Sequence, residues 1–100
     1  MRDYALDISE VAQERLIEAA QWYEQRMDLL GVELITEWEY ALDSIISNPL
    51  KHQIWNETFR QHQLESFPYL VIFEVIDSTV VVHNFIHAKR HPGKRYRRKR

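Results

Sequence analysis

Eight of the chain's thirteen Lys and Arg residues lie between Lys89 and Arg100, with no acid among them. The other five bases share residues 1–88 with all fifteen acids. The formal charge is therefore about +8 on the tail and −10 on the rest, behind a net of −2. A cationic end of this density can bind phosphate on nucleic acid or an acidic protein segment; a solvated run of like charge accounts for it equally well. The five histidines, His52, His62, His83, His87 and His91, raise the question of metal ligation. His83 and His87 fall on one face of an expected strand, but roughly 13 Å apart along it, too far to share a zinc at about 2.1 Å. No cysteine and no suitably spaced acid completes a ligand set, so neither a metal nor a cofactor is expected. Of the three tryptophans, Trp38 belongs to an apolar helical series. Trp22 sits off the main stripe beside Tyr23 and is expected to face a partner. Trp55 falls in an expected loop.

The elements that carry these residues follow from periodicity. Tyr4, Leu6 and Ile8 alternate with Asp3, Ala5 and Asp7 as a short strand with one apolar face. Ser9 is a helix N-cap, and Glu10 puts an acid in the first turn, where the helix dipole favours it. Ala12, Leu16, Ala19, Tyr23, Met27 and Leu30 then recur at spacings of three and four, which predicts a helix over 9–29 that stops at Gly31. Ile35, Trp38, Leu42 and Ile45 predict a second helix over 32–47, ended by Ser47-Asn48-Pro49, because proline disfavours helical backbone in the residue before it. The two helices form a hairpin.

After residue 50 the pattern changes. Leu50 to Glu57 reads as a loop. Thr58–Glu65, Tyr69–Ile76 and Thr79–His87 read as three antiparallel strands, with turns at Ser66-Phe67-Pro68 and Asp77-Ser78. In the last strand, strict alternation puts Val80, Val82, Asn84 and Ile86 on one face and Val81, His83, Phe85 and His87 on the other. The expected fold class is α+β, with an N-terminal strand, a helical hairpin and a three-stranded meander whose one face the helices cover.

One hundred residues fit a single domain, here 1–91 with a basic tail at 92–100. A chain of this length buries roughly two-thirds of its unfolded surface and needs no staples. The absence of cysteine removes disulfides and thiol chemistry and fits a reducing compartment, so a cytoplasmic site of action is expected. Met1-Arg2-Asp3-Tyr4 does not read as a signal peptide, and no run approaches the ~18 apolar residues of a membrane span.

One series of residues runs through nearly the whole chain. It comprises an N-terminal strand, Ala19-Ala20-Gln21-Trp22-Tyr23-Glu24, Ile46-Ser47-Asn48-Pro49, Phe59-Arg60 with Leu64, Phe67-Pro68-Tyr69 with Ile72-Phe73, and Ile86-His87-Ala88-Lys89-Arg90-His91-Pro92. In this order the chain resembles the RelE/ParE superfamily of toxins from type II toxin–antitoxin systems, the plasmid-stabilisation proteins. The long helical hairpin and the Phe-Pro-Tyr turn look closer to the ParE-like side. The resemblance implies a small toxin that inhibits growth and is neutralised by a cognate antitoxin, through which it can oligomerise. It also implies one of two activities. ParE-like members poison DNA gyrase without hydrolytic chemistry; RelE-like members cleave mRNA on the ribosome. A binding module that kept the fold and lost the activity is a third reading. The chain departs from the family in being slightly acidic overall and in carrying four more bases after Tyr96.

If the RelE-like activity applies, the reaction needs a base for the 2′-hydroxyl, cations for the phosphate and an acid for the leaving oxygen, and no metal. Arg60 and Arg90 would then clamp the phosphate. His87, with an ordinary pKa of about 6.5, would be acid or base. Tyr96 would stack or donate a proton. An arginine paired to an acid and a strand histidine with a satisfied ring would account for Arg60 and His87 without catalysis. Trp22, Lys89, Lys94, Arg95, Arg97 and Arg98 are the residues expected to meet the antitoxin or the target.

Overall fold

The computed structural model describes residues 3–89. Strand β1 (Ala5–Ile8) leads into α1 (Glu10–Arg26) and α2 (Leu30–Ser47). A 3₁₀ turn, Pro49–Lys51, follows, and then come β2 (Gln53–Asn56), β3 (Phe59–Gln63), β4 (Tyr69–Ile76) and β5 (Thr79–His87). The five strands form one sheet in the order β1-β5-β4-β3-β2. Strands β2 to β5 are an antiparallel meander, and β1 closes the other side parallel to β5. The α+β class and the strand, hairpin, meander order are those expected, with one strand more. The segment read as a loop contains β2, the short outer strand. The domain boundary placed at 91 lies outside the described residues.

The helices form where their caps allow. The Ser9 side chain accepts the Ala12 amide at 3.0 Å and donates to the His83 carbonyl at 2.8 Å, which fixes the start of α1 to β5. At the other end α1 stops at Arg26, before the expected 29, with Met27 already extended at φ −159°. Gly31 does not end α1; it lies in the first turn of α2. That turn has no cap from its own N-cap residue, Leu29, whose φ is +71°. Glu24 supplies the cap from α1: its two carboxylate oxygens accept the Leu29 and Gly31 amides, each at 2.9 Å. Two otherwise orphaned helix donors are thus satisfied by an anion at the positive end of the dipole. Replacing Glu24 with Ala is expected to cost about 1–2 kcal/mol in urea denaturation, with Glu24→Gln recovering part of the loss.

Both helices lie on one face of the sheet and share its main core. Leu34, Trp38, Ala41, Leu42 and Ile45 of α2 pack there with Val71, Phe73, Val80, Val82 and Phe85, all less than 10 % exposed. The apolar phase of α2 differs from the expected one by one residue: Leu34 is buried and Ile35 is 39 % exposed. The opposite sheet face carries a smaller cluster, Leu70, Ile72 and Ile86, against which Trp55, Phe59 and Ala88 pack.

Strand β5 does not alternate throughout. Ile72 pairs with Asn84 and Phe73 with Val82, so one extra residue is inserted at His83. Past this bulge every side chain changes face. Phe85 therefore joins Val80 and Val82 in the main core, and Ile86 joins the opposite cluster. The strictly alternating assignment of β5 is corrected by this insertion. It also separates two histidines read as sharing a face. His83 lies against Phe59 and bonds Glu74 at 2.9 Å, while His87 lies beside Tyr69.

Candidate binding site between helix α1 and the sheet

Arg15, Glu18 and Trp22 recur at three- and four-residue spacing, so they share one exposed stripe of α1. That stripe borders the end of the sheet where β4 begins and β5 finishes. Between them lies an open cavity of about 430 Å³, lined by Ala19, Trp22, Tyr23, Tyr69, Phe85, Ile86 and His87. The wall is aromatic. Trp22 meets Tyr23 edge-on at 5.0 Å, Tyr23 meets Tyr69 at 6.4 Å, and Tyr69 stacks on Phe85 at 4.7 Å. Trp22 is 49 % exposed, and the Arg26 guanidinium lies 3.9 Å from its ring centre as a cation–π pair. Burial, and secondarily the charge of a neighbouring Tyr69 phenolate, push the Tyr23 phenol above its usual pKa of 10.0. It therefore stays a hydrogen-bond donor at neutral pH. A cavity with aromatic walls and one cation and one carboxylate at its mouth suits an apolar or aromatic side chain presented by a polar segment.

The expected site residues do not all gather here. Trp22 and His87 line the cavity. The His87 ring accepts the Lys89 amide through Nδ1 at 3.1 Å, which places the neutral ring's proton on Nε2. Arg60 is elsewhere: it pairs with Phe73 on β4, whereas His87 pairs with Tyr69. These positions are four residues apart on β4, about 13 Å along the strand, and on opposite sides of it. Arg60 donates from Nη1 to the His52 carbonyl at 2.8 Å and so braces the start of β2. Its partner is a carbonyl rather than the acid considered from the sequence. Lys89 is exposed at the end of the described chain. Arg90, Lys94, Arg95, Tyr96, Arg97 and Arg98 lie outside the described residues. Among the described residues, no group of three or more His, Asp or Glu could hold a metal ion, and no helix is long and apolar enough to cross a membrane.

Sequence reasoning passed over Arg15, Glu18 and Tyr69 as site residues. The first two carried a signal in their spacing from Trp22; Tyr69 carried one in following the Phe67-Pro68 turn. What it could not supply was the meeting of α1 with the ends of β4 and β5.

No protein-family profile and no curated protein matches the chain. Solved structures do. A chain of the chromosomal ParDE TA system from P. aeruginosa superimposes with a TM-score of 0.75 at 12% identity, over 84% of this chain and 95% of that one. The free-state structure of a mutant of the E. coli toxin RelE gives a TM-score of 0.56 at 18% identity, over 97% of this chain and 96% of that one. The chain therefore has the RelE/ParE-like fold, and of these two structures it lies nearer the one from the ParDE system.

Proposed function

We propose that this protein is the toxin of a type II toxin–antitoxin pair. In this reading it acts in the cytoplasm in the ParE-like manner, by binding an essential protein target such as DNA gyrase, and a cognate antitoxin restrains it. The likeness to the ParDE structure supports the toxin reading. The observation that favours a binding mode over a nuclease is the placement of Arg60 and His87 at positions four residues apart on β4. A phosphate clamp and a proton donor for one scissile bond must meet within hydrogen-bond reach, about 3 Å, of the same group. The aromatic cavity beside α1 is where the antitoxin would anchor a side chain.

The test uses one preparation in two assays, gyrase supercoiling and cell-free translation with mapping of mRNA ends. Supercoiling is expected to be inhibited and mRNA to remain intact. Arg60→Ala and His87→Ala are expected to keep the inhibition, with melting curves run alongside because Arg60 braces β2. Ribosome-dependent cleavage that falls by 10²–10⁴-fold in His87→Ala would replace this reading with the RelE-like endoribonuclease. No growth arrest on expression and no effect in either assay would leave an inactive binding module.

A further inference from the structure

We propose that His52 and His62 form a proton-operated latch that holds the sheet's outer strand, β2, to the end of α2. Three contacts in series define it. His52 Nδ1 lies 3.1 Å from the carbonyl of Asn48, the C-cap residue of α2. His52 Nε2 lies 3.0 Å from His62 Nδ1 on β3. The two rings are tilted at 5.1 Å, and His52 stands edge-on to the fully buried Phe73 at 5.5 Å. The Arg60 guanidinium holds the carbonyl of the same His52.

These contacts dictate where the protons are. A carbonyl only accepts, so His52 carries its proton on Nδ1 and, when neutral, accepts at Nε2. His62 must then donate from Nδ1. The neutral pair is a complete chain of donors and acceptors. A first added proton, on His62 Nε2, keeps the hydrogen bond to His52 but charges a partly buried ring, so the fold is already weakened by this proton before any donor is lost. A second has no place except His52 Nε2, where it confronts the His62 Nδ1 proton across 3.0 Å. The hydrogen bond is then lost and two cations face each other. The surroundings pull both ways. From β3, Arg60 adds a third positive charge and Phe73 of β4 brings no compensating one, whereas the Asn48 carbonyl at the C-terminal end of α2 favours a cation on His52. Glu65, after β3, is the one opposing carboxylate that acts on His62.

Burial first, and the neighbouring His52 second, lower the His62 pKa from 6.5, against the raising effect of Glu65. A histidine depressed in the fold binds protons less readily than in the unfolded chain. Its contribution to stability is complete above about pH 6.5, falls as pH drops below that value, and levels off under the folded-state pKa. The element released is short: β2 has four residues, one neighbouring strand and a register irregularity between Ile54 and Asn56.

The experiment is imidazole NMR and amide exchange on the full chain between pH 7.5 and 5. Both rings should carry their proton on Nδ1 at pH 7.5, and His62 should titrate below 6.5. Exchange of the Gln53–Asn56 amides, corrected for intrinsic rates, should rise about tenfold or more toward pH 5, and His62→Gln should flatten that rise. A His62 midpoint at or above 6.5, or the same rise in His62→Gln, would overturn the latch. If His62→Gln fails to fold, the wild-type protein decides the matter: Gln53–Asn56 exchange that does not rise as His62 takes up its proton overturns the latch.

Discussion

Phe85→Ala is expected to lower the stability of the folded chain by about 3–5 kcal/mol, the usual range for deleting a buried phenylalanine. Phe85 is fully buried, stacked on Tyr69 at 4.7 Å and met edge-on by Trp38 at 5.3 Å. Truncation removes the ring's transfer energy, leaves a void between sheet and α2, and ends two aromatic contacts together. Against a typical total of about 5–15 kcal/mol for a domain, this is about a fifth of the stability or more. Urea denaturation should show the midpoint falling with little change in slope. Phe85→Leu should recover more than half of the loss. Because Phe85 also forms a wall of the cavity beside α1, the Leu variant is the one in which partner binding can be compared at nearly intact stability. A loss under about 1 kcal/mol in Phe85→Ala would mean that the bulge at His83 does not turn this ring inward.

That ring shows where the sequence was legible and where it was not. The helical hairpin and three strands were readable because three-four spacing and alternation are local patterns. The phase of α2 was ambiguous at one point for a simple reason. Leu34 lies four residues before Trp38 and Ile35 lies three before it, so either satisfies the helical stripe. Only the position of the sheet decides for Leu34. In β5 the polar pair His83-Asn84 between apolar runs was the trace of the bulge, but a bulge is set by pairing with β4, which is not a local property. Strand β2 went unread because an outer strand needs no apolar face on both sides; Gln53-Ile54-Trp55-Asn56 carries too few residues for a period. The site was half legible. Trp22 and His87 do line one cavity, while Arg60, grouped with His87 from its residue type, serves the edge of the sheet. Arg90, Tyr96 and the basic tail lie beyond the described residues.

The second large effect is expected at Gly31, where an added methyl should destabilise the chain although helix propensity favours it. Gly31 sits in the first turn of α2, where Ala gains about 1 kcal/mol over Gly. Its φ is not positive, so backbone freedom is not the reason for glycine here. The reason is the crossing of the helices. A Cβ at residue 31 would stand 2.4 Å from the carbonyl oxygen of Ala20 on α1 and 3.1 Å from Glu24 Oε1. The first distance is roughly 1 Å inside ordinary contact, and the atom is backbone, which cannot rotate away. Relief requires α1 and α2 to part at the point where Glu24 caps α2, so the caps to Leu29 and Gly31 weaken with the packing. Overpacking of about 1–3 kcal/mol or more, joined to the loss of a cap worth about 1 kcal/mol, outweighs the propensity gain. The net expectation for Gly31→Ala is a loss of about 1–3 kcal/mol, read as a fall in Tm of about 5 °C or more. A control separates this cause from side-chain crowding. The obstacle is the Ala20 carbonyl rather than its methyl, so adding Ala20→Gly should give no rescue. Recovery in that double variant, or a Gly31→Ala protein as stable as the parent, would show that the helices do not cross this closely.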